Sequence, residues 1–202
     1  MKKLRVGVLI SGRGSNLHAL IGACAQNDFP AEIVLVISNV ADAGGLKHAA
    51  EAGIPTRVIA HKNFPGREAF DNEMDAELKK AGVEFVCLAG FMRLLSTPFV
   101  REWEGRIVNI HPSLLPAFKG LDVHEQVLDA GVRISGCTVH YVVPELDAGP
   151  PIVQAAVPVE PHDNADTLAA RVLEAEHRVY PEALKMIAEN RIRLENGRAV
   201  FA

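Results

Sequence analysis

The sequence has few cysteines and no long apolar run. Its 202 residues include three cysteines, an odd number spread along the chain at Cys24, Cys87 and Cys137. An odd set cannot pair completely within one chain, and apolar neighbours predict packed, reduced thiols in a cytoplasmic protein. No apolar stretch reaches the length that crosses a bilayer. We therefore expect no membrane partner.

A strong charge of either sign is also missing. The formal net charge of −4 gives no general attraction for nucleic acid or anionic membranes, so we expect no nucleic-acid partner. A small anionic ligand would need a local site. The start of the chain reads "MKKLRVGVLISGRGS". Its apolar part is short and leads into glycines and polar residues, which predicts a first core strand rather than a signal peptide.

The usual motifs of metal sites and acyl-enzymes are absent as well. The chain has no H-E-x-x-H and no C-x-x-C, and its one E-x-x-H joins Glu174 to His177. Without a partner motif, that pair predicts a solvated helix face rather than a metal site. Ser113 is followed by Leu-Leu-Pro and not by the G-x-S-x-G elbow of serine hydrolases. We expect neither a metal nor an acyl-enzyme.

What the first half does contain is a regular alternation of patterns. Runs that are nearly continuous in Val, Ile, Leu or Cys occupy residues 5–11, 32–38, 56–60, 84–90 and 106–111. Helical patterns occupy residues 16–26, 44–52, 67–81 and 96–104. Continuous apolar runs are typical of strands covered on both faces, and their alternation with helices predicts right-handed crossovers. We predict an α/β fold: a Rossmann-like, mostly parallel sheet with helices on both faces.

After residue 111 the pattern changes. A helix is predicted over 122–131, and strands are predicted over 135–143 and 151–159. The linking stretch "PELDAGP" is a Gly- and Pro-containing turn, which favours antiparallel pairing of these two strands. We therefore predict an antiparallel carboxyl-terminal strand extension of the sheet.

The last part of the chain reads as a helix followed by a hairpin. The helix pattern covers residues 163–190, with Asp163 or Asn164 as its cap and Pro181 expected to kink it or to start a second helix. A small hairpin is predicted around Asn196-Gly197. With no repeat or linker in the sequence, we predict a single domain over 1–202.

A glycine-containing loop, "SGRGSN", follows the first strand. Gly12 and Gly14 let the chain turn sharply, and free N–H groups of residues 14–16 at a helix start favour an anion. The dinucleotide fingerprint is incomplete, because Leu17 replaces the third glycine and Ser38-Asn39 replaces the acidic residue. A phosphate monoester is therefore favoured over NAD or ATP, and the alternative is a tight turn that binds nothing.

The stretch "IVNIHPSLLPAFKG" ends a strand with polar side chains. Asn109 and His111 are two apart and share a face, and Pro112 ends the strand at the sheet edge where ligands bind. Asp147, in the later turn, can fold over the same edge. An amide and an imidazolium stabilise an oxyanion, the imidazole passes a proton, and a carboxylate favours its charged form. Because no nucleophile stands nearby, we predict acyl transfer by direct attack of a substrate amine.

Five blocks of sequence resemble one known family. They are "VLISGRGSNLHAL", "LAGFMRLLS", "NIHPSLLPAFKG", "GCTVHYVVPELDAGPPIVQAAVPV" and "EAEHRVYP". In this order, over nearly the whole chain, they resemble the folate-dependent formyltransferases, and the first and last blocks narrow the resemblance to phosphoribosylglycinamide formyltransferases. The resemblance implies transfer of a formyl group from the co-substrate 10-formyltetrahydrofolate to the amine of glycinamide ribonucleotide, in purine synthesis and without a metal.

The resemblance also implies roles for individual residues. The catalytic residues correspond to His111, Asn109 and Asp147, with His140 as a supporting histidine. The ribonucleotide-binding residues correspond to Gly14, Ser15, Asn16, Leu173, Glu174, Ala175 and Glu176. The folate-binding residues correspond to Arg67, Met92, Arg93, Leu94, Leu95, Asn109, Val143, Pro144, Glu145, Leu146 and Asp147. On this basis residues 1–111 form a nucleotide-phosphate-binding half and residues 112–202 a folate-binding and carboxyl-terminal half.

Simpler interpretations of some of these residues stay open. Met92, Leu94 and Leu95 are also what a hydrophobic core would contain, because a core and an apolar pocket look alike in sequence. Arg67 reads equally as a solvated charge near a helix start. Glu176 reads equally as a surface residue. Arg13 would add positive charge near the phosphate, whereas the resemblance assigns no role to His124.

Alternative functions also remain at this point. A formyltetrahydrofolate hydrolase would carry an additional amino-terminal domain, and a methionyl-tRNA formyltransferase a carboxyl-terminal tRNA-binding domain; we expect neither here. A non-catalytic phosphate-binding α/β module is the alternative from another class. The expected partners are small-molecule substrates, and a homodimer is left open.

Overall fold

Seven strands form one sheet in the computed structural model, which describes residues 2–202. The strands are β1 (Leu4–Ile10), β2 (Ala31–Ser38), β3 (Thr56–Val58), β4 (Phe85–Leu88), β5 (Ile107–His111), β6 (Ile134–Tyr141) and β7 (Pro151–Pro158). Their order across the sheet is β3-β2-β1-β4-β5-β6-β7. The pairs among β1 to β5 are parallel, whereas β6 pairs antiparallel with β5 and with β7. The predicted parallel sheet with an antiparallel extension is thus confirmed.

Six α-helices cover both faces of this sheet. They are α1 (Ser15–Cys24), α2 (Gly45–Glu51), α3 (Arg67–Lys80), α4 (Thr97–Glu102), α5 (Val123–Asp129) and α6 (Ala165–Ala188). One apolar cluster packs α1, α5 and α6 on the sheet, and a second packs α3 and α4 on it. Within residues 2–202, none of the helices combines the length and the apolar character that crossing a membrane requires.

The third strand differs from its prediction. The sequence pattern indicates a strand buried on both faces over 56–60, but β3 has three residues, and Val58 is 46% exposed. The reason is its position: β3 is the outermost strand and pairs only with β2. An edge strand is covered less completely than the strands inside the sheet, so its apolar residues do not report a buried position.

The long helix α6 begins at a predicted cap and covers nearly all of the predicted range, from Ala165 to Ala188. Asn164 caps it, because its side chain accepts the Thr167 N–H while the Thr167 hydroxyl accepts the Asn164 N–H. Of the two alternatives predicted for Pro181, the start of a second helix is wrong, since α6 runs through Pro181 to Ala188. Tyr180 beside it is fully buried and donates to the Leu88 carbonyl at 2.9 Å. This burial outweighs the one helix hydrogen bond that proline removes.

The chain ends in a two-stranded hairpin, as predicted. β8 (Ile192–Glu195) pairs antiparallel with β9 (Arg198–Phe201). The two residues between them, Asn196 and Gly197, have φ angles of 49° and 72°. Left-handed backbone at both central positions is what the tightest hairpin turns require, and Asn-Gly adopts it at the least cost.

Candidate active site

Strand β5 brings two polar side chains to the carboxyl edge of the sheet. Asn109 is half-buried, His111 is buried, and both line a cavity of about 670 Å³. Because β6 runs antiparallel beside β5, His140 lies directly opposite Asn109. The predicted pair at the strand end is therefore observed, with a second histidine next to it.

Asp147 reaches this pair from the loop after β6. Its Oδ2 lies 3.5 Å from His111 Nδ1, and its Oδ1 lies 4.0 Å from His140 Nε2. The same Oδ2 accepts the Gly120 N–H at 2.9 Å, and the side chain is only 7% exposed. The structure thus brings Asn109, His111 and Asp147 together at one point of the cavity wall.

The hydrogen bonds of His111 define where its protons are. Its Nε2 lies 2.8 Å from the Phe118 carbonyl oxygen. Since a carbonyl only accepts, Nε2 carries a proton, and Nδ1 is the nitrogen that faces Asp147. A second proton on Nδ1 would therefore sit opposite a carboxylate.

His140 and Asn109 form a second oriented pair. The His140 Nδ1–H donates to the Tyr141 carbonyl at 2.9 Å, and burial lowers the pKa of His140. The ring is then neutral, and its Nε2 accepts an N–H from Asn109 Nδ2 at 3.3 Å. One amide N–H of Asn109 is held by this contact, which leaves the other free to orient toward a ligand.

Large apolar side chains are exposed around the same cavity. Met92 is 69% exposed and Leu94 is 54% exposed, so the interpretation of these two residues as core is wrong. Leu121 and Leu146 are exposed on the facing loops and line the cavity with them. Leu95 is half-buried and packs on the core below. Exposed apolar groups gathered around one cleft are typical of a binding site for a largely apolar ligand.

A smaller cavity of about 430 Å³ adjoins the first. It lies against α6 and is lined on the opposite side by Arg13 and His124. Pro112 and Glu176 line both cavities, so the two cavities lie next to each other. A ligand with a polar end and a reactive end could therefore extend from the Arg13 side toward His111.

Glu176 lies at the junction of the two cavities. It is 6% exposed and accepts the Asn16 Nδ2–H at 2.8 Å, so the interpretation as a surface residue is wrong. Burial raises its pKa to about 7, and the hydrogen bond from Asn16 acts against that rise. The Asn16 Oδ1 is buried, and no hydrogen-bond partner is found for it within the described chain. This pair presents a carboxyl group and an amide oxygen to a ligand.

All but one of the folate-binding residues suggested by sequence line the large cavity, whereas several of the suggested ribonucleotide-binding residues line neither cavity. Those in the lining are Met92, Arg93, Leu94, Leu95, Asn109, Val143, Pro144, Glu145, Leu146 and Asp147. Arg67 is exposed at the start of α3 and lines neither of the two cavities. Leu173 lines the smaller cavity, whereas Glu174 is exposed and Ala175 is buried in the core. Gly14 and Ser15 stand at the start of α1, outside both linings.

Two main-chain groups complete the site, and the sequence analysis missed both. They are the Phe118 carbonyl on His111 and the Gly120 N–H on Asp147. Main-chain groups have no residue signature; the one indication was the Lys119-Gly120 turn. In the described part of the chain no group of three or more His, Cys, Asp or Glu side chains is arranged to hold a metal ion.

The sequence places the chain in a known class of proteins. A sequence model of the formyl transferase family matches residues 4–184, so the chain belongs to the formyl transferase family. The family resemblance and the Rossmann-like fold expected from sequence are both confirmed.

Individual relatives are more specific. The chain is 45% identical over 196 residues to the phosphoribosylglycinamide formyltransferase of Escherichia coli (strain K12). This match covers 97% of this chain and 92% of that protein. It is 57% identical over 198 residues to the trifunctional purine biosynthetic protein adenosine-3 of Bos taurus; the match covers 98% of this chain but only 20% of that relative. The crystal structure of glycinamide ribonucleotide transformylase 1 from Symbiobacterium toebii matches with a TM-score of 0.96 and 46% identity, covering 98% of this chain and 94% of that chain.

Proposed function

We propose that this chain transfers the formyl group of 10-formyltetrahydrofolate to the primary amine of glycinamide ribonucleotide in purine biosynthesis. The names of its relatives support this reaction, and one observation in the structure carries it. Asn109, His111 and Asp147 converge at a single point in the wall of the large, partly apolar cavity, and Pro112, next to His111, also lines the smaller cavity beside α6. That is where an amine bound from one side would meet a formyl group bound from the other.

The two cavities suit the two substrates differently. The exposed apolar side chains of Met92, Leu94 and Leu146 suit the ring system of the folate. On the other side, Arg13 lines the smaller cavity and suits the phosphate of the ribonucleotide, and the start of α1, outside both linings, follows Arg13 directly in the chain and also favours an anion. Glu176 and Asn16, between the two, suit hydroxyl groups or the amine of the same substrate. The ligand-binding surface therefore draws on both halves of the chain, and we propose one domain with its substrates bound between them.

The reaction proceeds by direct transfer. The amine nitrogen forms a bond to the formyl carbon, and the carbonyl oxygen becomes an oxyanion in a tetrahedral intermediate. The free amide N–H of Asn109 and a protonated His111 stabilise that charge. The bond from the carbon to the folate nitrogen then breaks.

Proton transfer completes the balance. The attacking amine loses one proton and the departing folate nitrogen gains one, so no net proton is consumed. His111, with bound water, supplies the proton to the leaving nitrogen, and Asp147 favours the charged imidazole that does so. Both ring nitrogens are engaged, by Phe118 and Asp147, so one contact must open during the transfer.

A formyl-transfer assay tests this proposal against its alternatives. The purified chain is mixed with 10-formyltetrahydrofolate, with and without glycinamide ribonucleotide, and the products are identified by mass spectrometry. We expect formylated ribonucleotide only when both substrates are present. Formate released at the same rate without the amine would favour a hydrolase. Ribonucleotide binding with no loss of formyl from the folate would favour a non-catalytic phosphate-binding module.

A cytoplasmic location is consistent with this function. Cys24, Cys87 and Cys137 are all free thiols in the structure. Free thiols persist in reducing compartments, where purine synthesis from a folate donor would also find its substrates. Fractionation of cells, followed by detection of the chain in each fraction with an antibody, tests the location.

A further inference from the structure

The segment 90–96, between β4 and α4, forms one wall of the large cavity and is tied down at its first end by Ser11. The Ser11 N–H donates to the Gly90 carbonyl at 3.1 Å, and the Met92 N–H donates to Ser11 Oγ at 2.8 Å. The Ser11 hydroxyl in turn donates to Asn39 Oδ1 at 2.6 Å. This end of the segment is therefore anchored to the ends of β1 and β2.

The other end of the segment is held by α3. The Ser96 N–H donates to Asp71 Oδ2 at 2.6 Å, and Asp71 is 1% exposed. One residue earlier, Phe70 lies under Arg93, whose guanidinium carbon is 5.1 Å from the ring centroid. Two consecutive residues of α3 thus fix the far end of the segment, and residues 91–95, between the two anchors, line the cavity.

Burying the carboxyl group of Asp71 at this position costs desolvation free energy. Burial raises the pKa of its carboxyl group, against the hydrogen bond from Ser96 and the charges of Arg93 and Arg67. Its Oδ1 is buried, and so is Arg93 Nε, and neither atom has a hydrogen-bond partner among residues 2–202. Since an apolar residue would pack inside α3 without this desolvation cost, packing alone does not account for a carboxylate here.

We propose that Asp71 is a positioning residue for the folate co-substrate: by accepting the Ser96 N–H it holds residues 91–95 at the cavity wall. Asp71 itself does not line the cavity, so it acts through the segment and not on the ligand. The inference rests on the proposed function, because it assigns the large cavity to the folate. It predicts that substitution of Asp71 weakens binding of the folate and leaves binding of the ribonucleotide unchanged.

Steady-state kinetics with Asp71→Ala test this inference. The substitution removes the acceptor of the Ser96 N–H. We expect the KM for 10-formyltetrahydrofolate to rise about tenfold, while the KM for the ribonucleotide changes less than about twofold. Asp71→Asn keeps an oxygen that accepts the same N–H, so we expect its KM for the folate to stay close to that of the unaltered chain. Rescue by the amide would separate the hydrogen bond from the charge.

A second substitution approaches the same contact from the other side. Ser96→Pro removes the N–H, and the φ of −72° at Ser96 is one that proline adopts. We expect it to raise the folate KM as Asp71→Ala does. If Asp71→Ala does not fold, the result for Ser96→Pro decides the question.

Asp75 offers a matched control on the same helix. Its Oδ1 accepts the Trp103 Nε1–H at 3.0 Å, so it also joins α3 to α4, but away from the segment 90–96. We expect Asp75→Ala to lower the melting temperature and to leave the folate KM unchanged. An equal rise in folate KM in Asp75→Ala, or an unchanged folate KM in Asp71→Ala and Ser96→Pro, would overturn the positioning role.

Direct binding keeps this inference separate from the reaction. Should the unaltered chain transfer no formyl group, the proposed function fails, and calorimetry with tetrahydrofolate as the probe tests Asp71 instead. Weaker binding of tetrahydrofolate to Asp71→Ala than to Asp75→Ala would then still support the inference. Equal binding to both variants would reject it.

Discussion

Asp147 Oδ2 lies 3.5 Å from Nδ1 of His111, close enough for an ion pair but longer than an ordinary N–H···O hydrogen bond. The same oxygen is already bonded to the Gly120 N–H. The carboxylate is therefore held by the main chain and presented to the imidazole, rather than held by the imidazole itself. Asp147 therefore acts on His111 mainly through its charge and less through a direct hydrogen bond.

Asp147→Asn should lower turnover with little effect on ribonucleotide binding. The amide keeps the shape of the side chain and an oxygen for Gly120, but it loses the charge that favours a protonated His111. We expect kcat to fall about a hundredfold, within the usual contribution of general acid–base catalysis. Steady-state kinetics and calorimetry with the ribonucleotide measure the two effects. Near-normal turnover would contradict the role, and the exposed Asp129→Asn, at the end of α5, serves as the control.

Asn109 and His140 should behave as one unit. Asn109→Ala removes an oxyanion donor, and we expect a fall of about a hundredfold in kcat. His140→Ala leaves the amide without its anchor at 3.3 Å and should lower kcat for the same reason. The double variant should therefore be little worse than Asn109→Ala alone. Effects that multiply in the double-mutant cycle would show that the two residues act independently; the exposed His162→Ala is the matched control.

Gly14→Ala should distort the loop before α1. Gly14 has φ +77°, and a Cβ there would overlap the Cα of Gly45. We expect a loss of about 2 kcal/mol or more in the free energy of unfolding. Gly12→Ala is the comparison within the same loop, because no described atom lies within 4 Å of a Cβ at Gly12. Equal melting temperatures for the two variants would contradict the strain argument.

The loop at residues 14–16 should also bind inorganic phosphate. Within residues 2–202 no hydrogen bond engages the N–H groups of residues 14–16, and Arg13 adds positive charge nearby. Titration with phosphate should shift the backbone amide NMR signals of Gly14, Ser15 and Asn16 in the unaltered chain. A crystal grown in abundant sulfate with this loop empty would count against the prediction.

Glu176→Gln should change how stability depends on pH. Burial raises the pKa of Glu176 from 4.5 to about 7, so the neutral carboxyl is favoured in the folded state. The stability that this neutral form contributes is complete below the ordinary carboxyl pKa and is lost as the pH rises through about 7. Glutamine stays neutral, so the advantage of the variant over the unaltered chain should grow from about pH 4.5 to about pH 7, reach about 3 kcal/mol, and stay constant above that.

Chemical denaturation at several pH values measures this effect. The exposed Glu182→Gln, on the same helix, should show no such pH-dependent difference. A constant difference between Glu176→Gln and the unaltered chain across the pH range would mean that the carboxyl does not titrate there. Ribonucleotide binding by Glu176→Gln then tests the second part of its role, because the amide still accepts from Asn16 but cannot become charged.

Local features were predictable because they depend on neighbours in sequence. Asn109 and His111 share a face since side chains alternate along a strand, and Pro112 ends that strand. The Asn164 cap and the Asn196-Gly197 turn follow from hydrogen bonds and backbone angles within four residues. In each case the physical cause lies inside the segment itself, so the segment predicts it.

Other features were decided only when distant segments packed together. The exposure of Met92 and Leu94 depends on the cavity beside them, and the burial of Glu176 depends on α1 lying against α6. Pro181 stays inside a helix because the helix is buried on the sheet. An apolar residue reads the same in a core and in a pocket, so sequence pattern did not separate the two.

The sequence by itself determined which chemical groups are available: an amide and an imidazole at one strand end, a carboxylate in a later turn, and a glycine loop before a helix. Only the tertiary structure decided their distances, their tautomers and their burial. The reason is that hydrogen-bond partners such as the Phe118 carbonyl and the Gly120 N–H are main-chain groups, which every residue carries. Their positions are set by the folded backbone, and so is the orientation of the histidine that they hold.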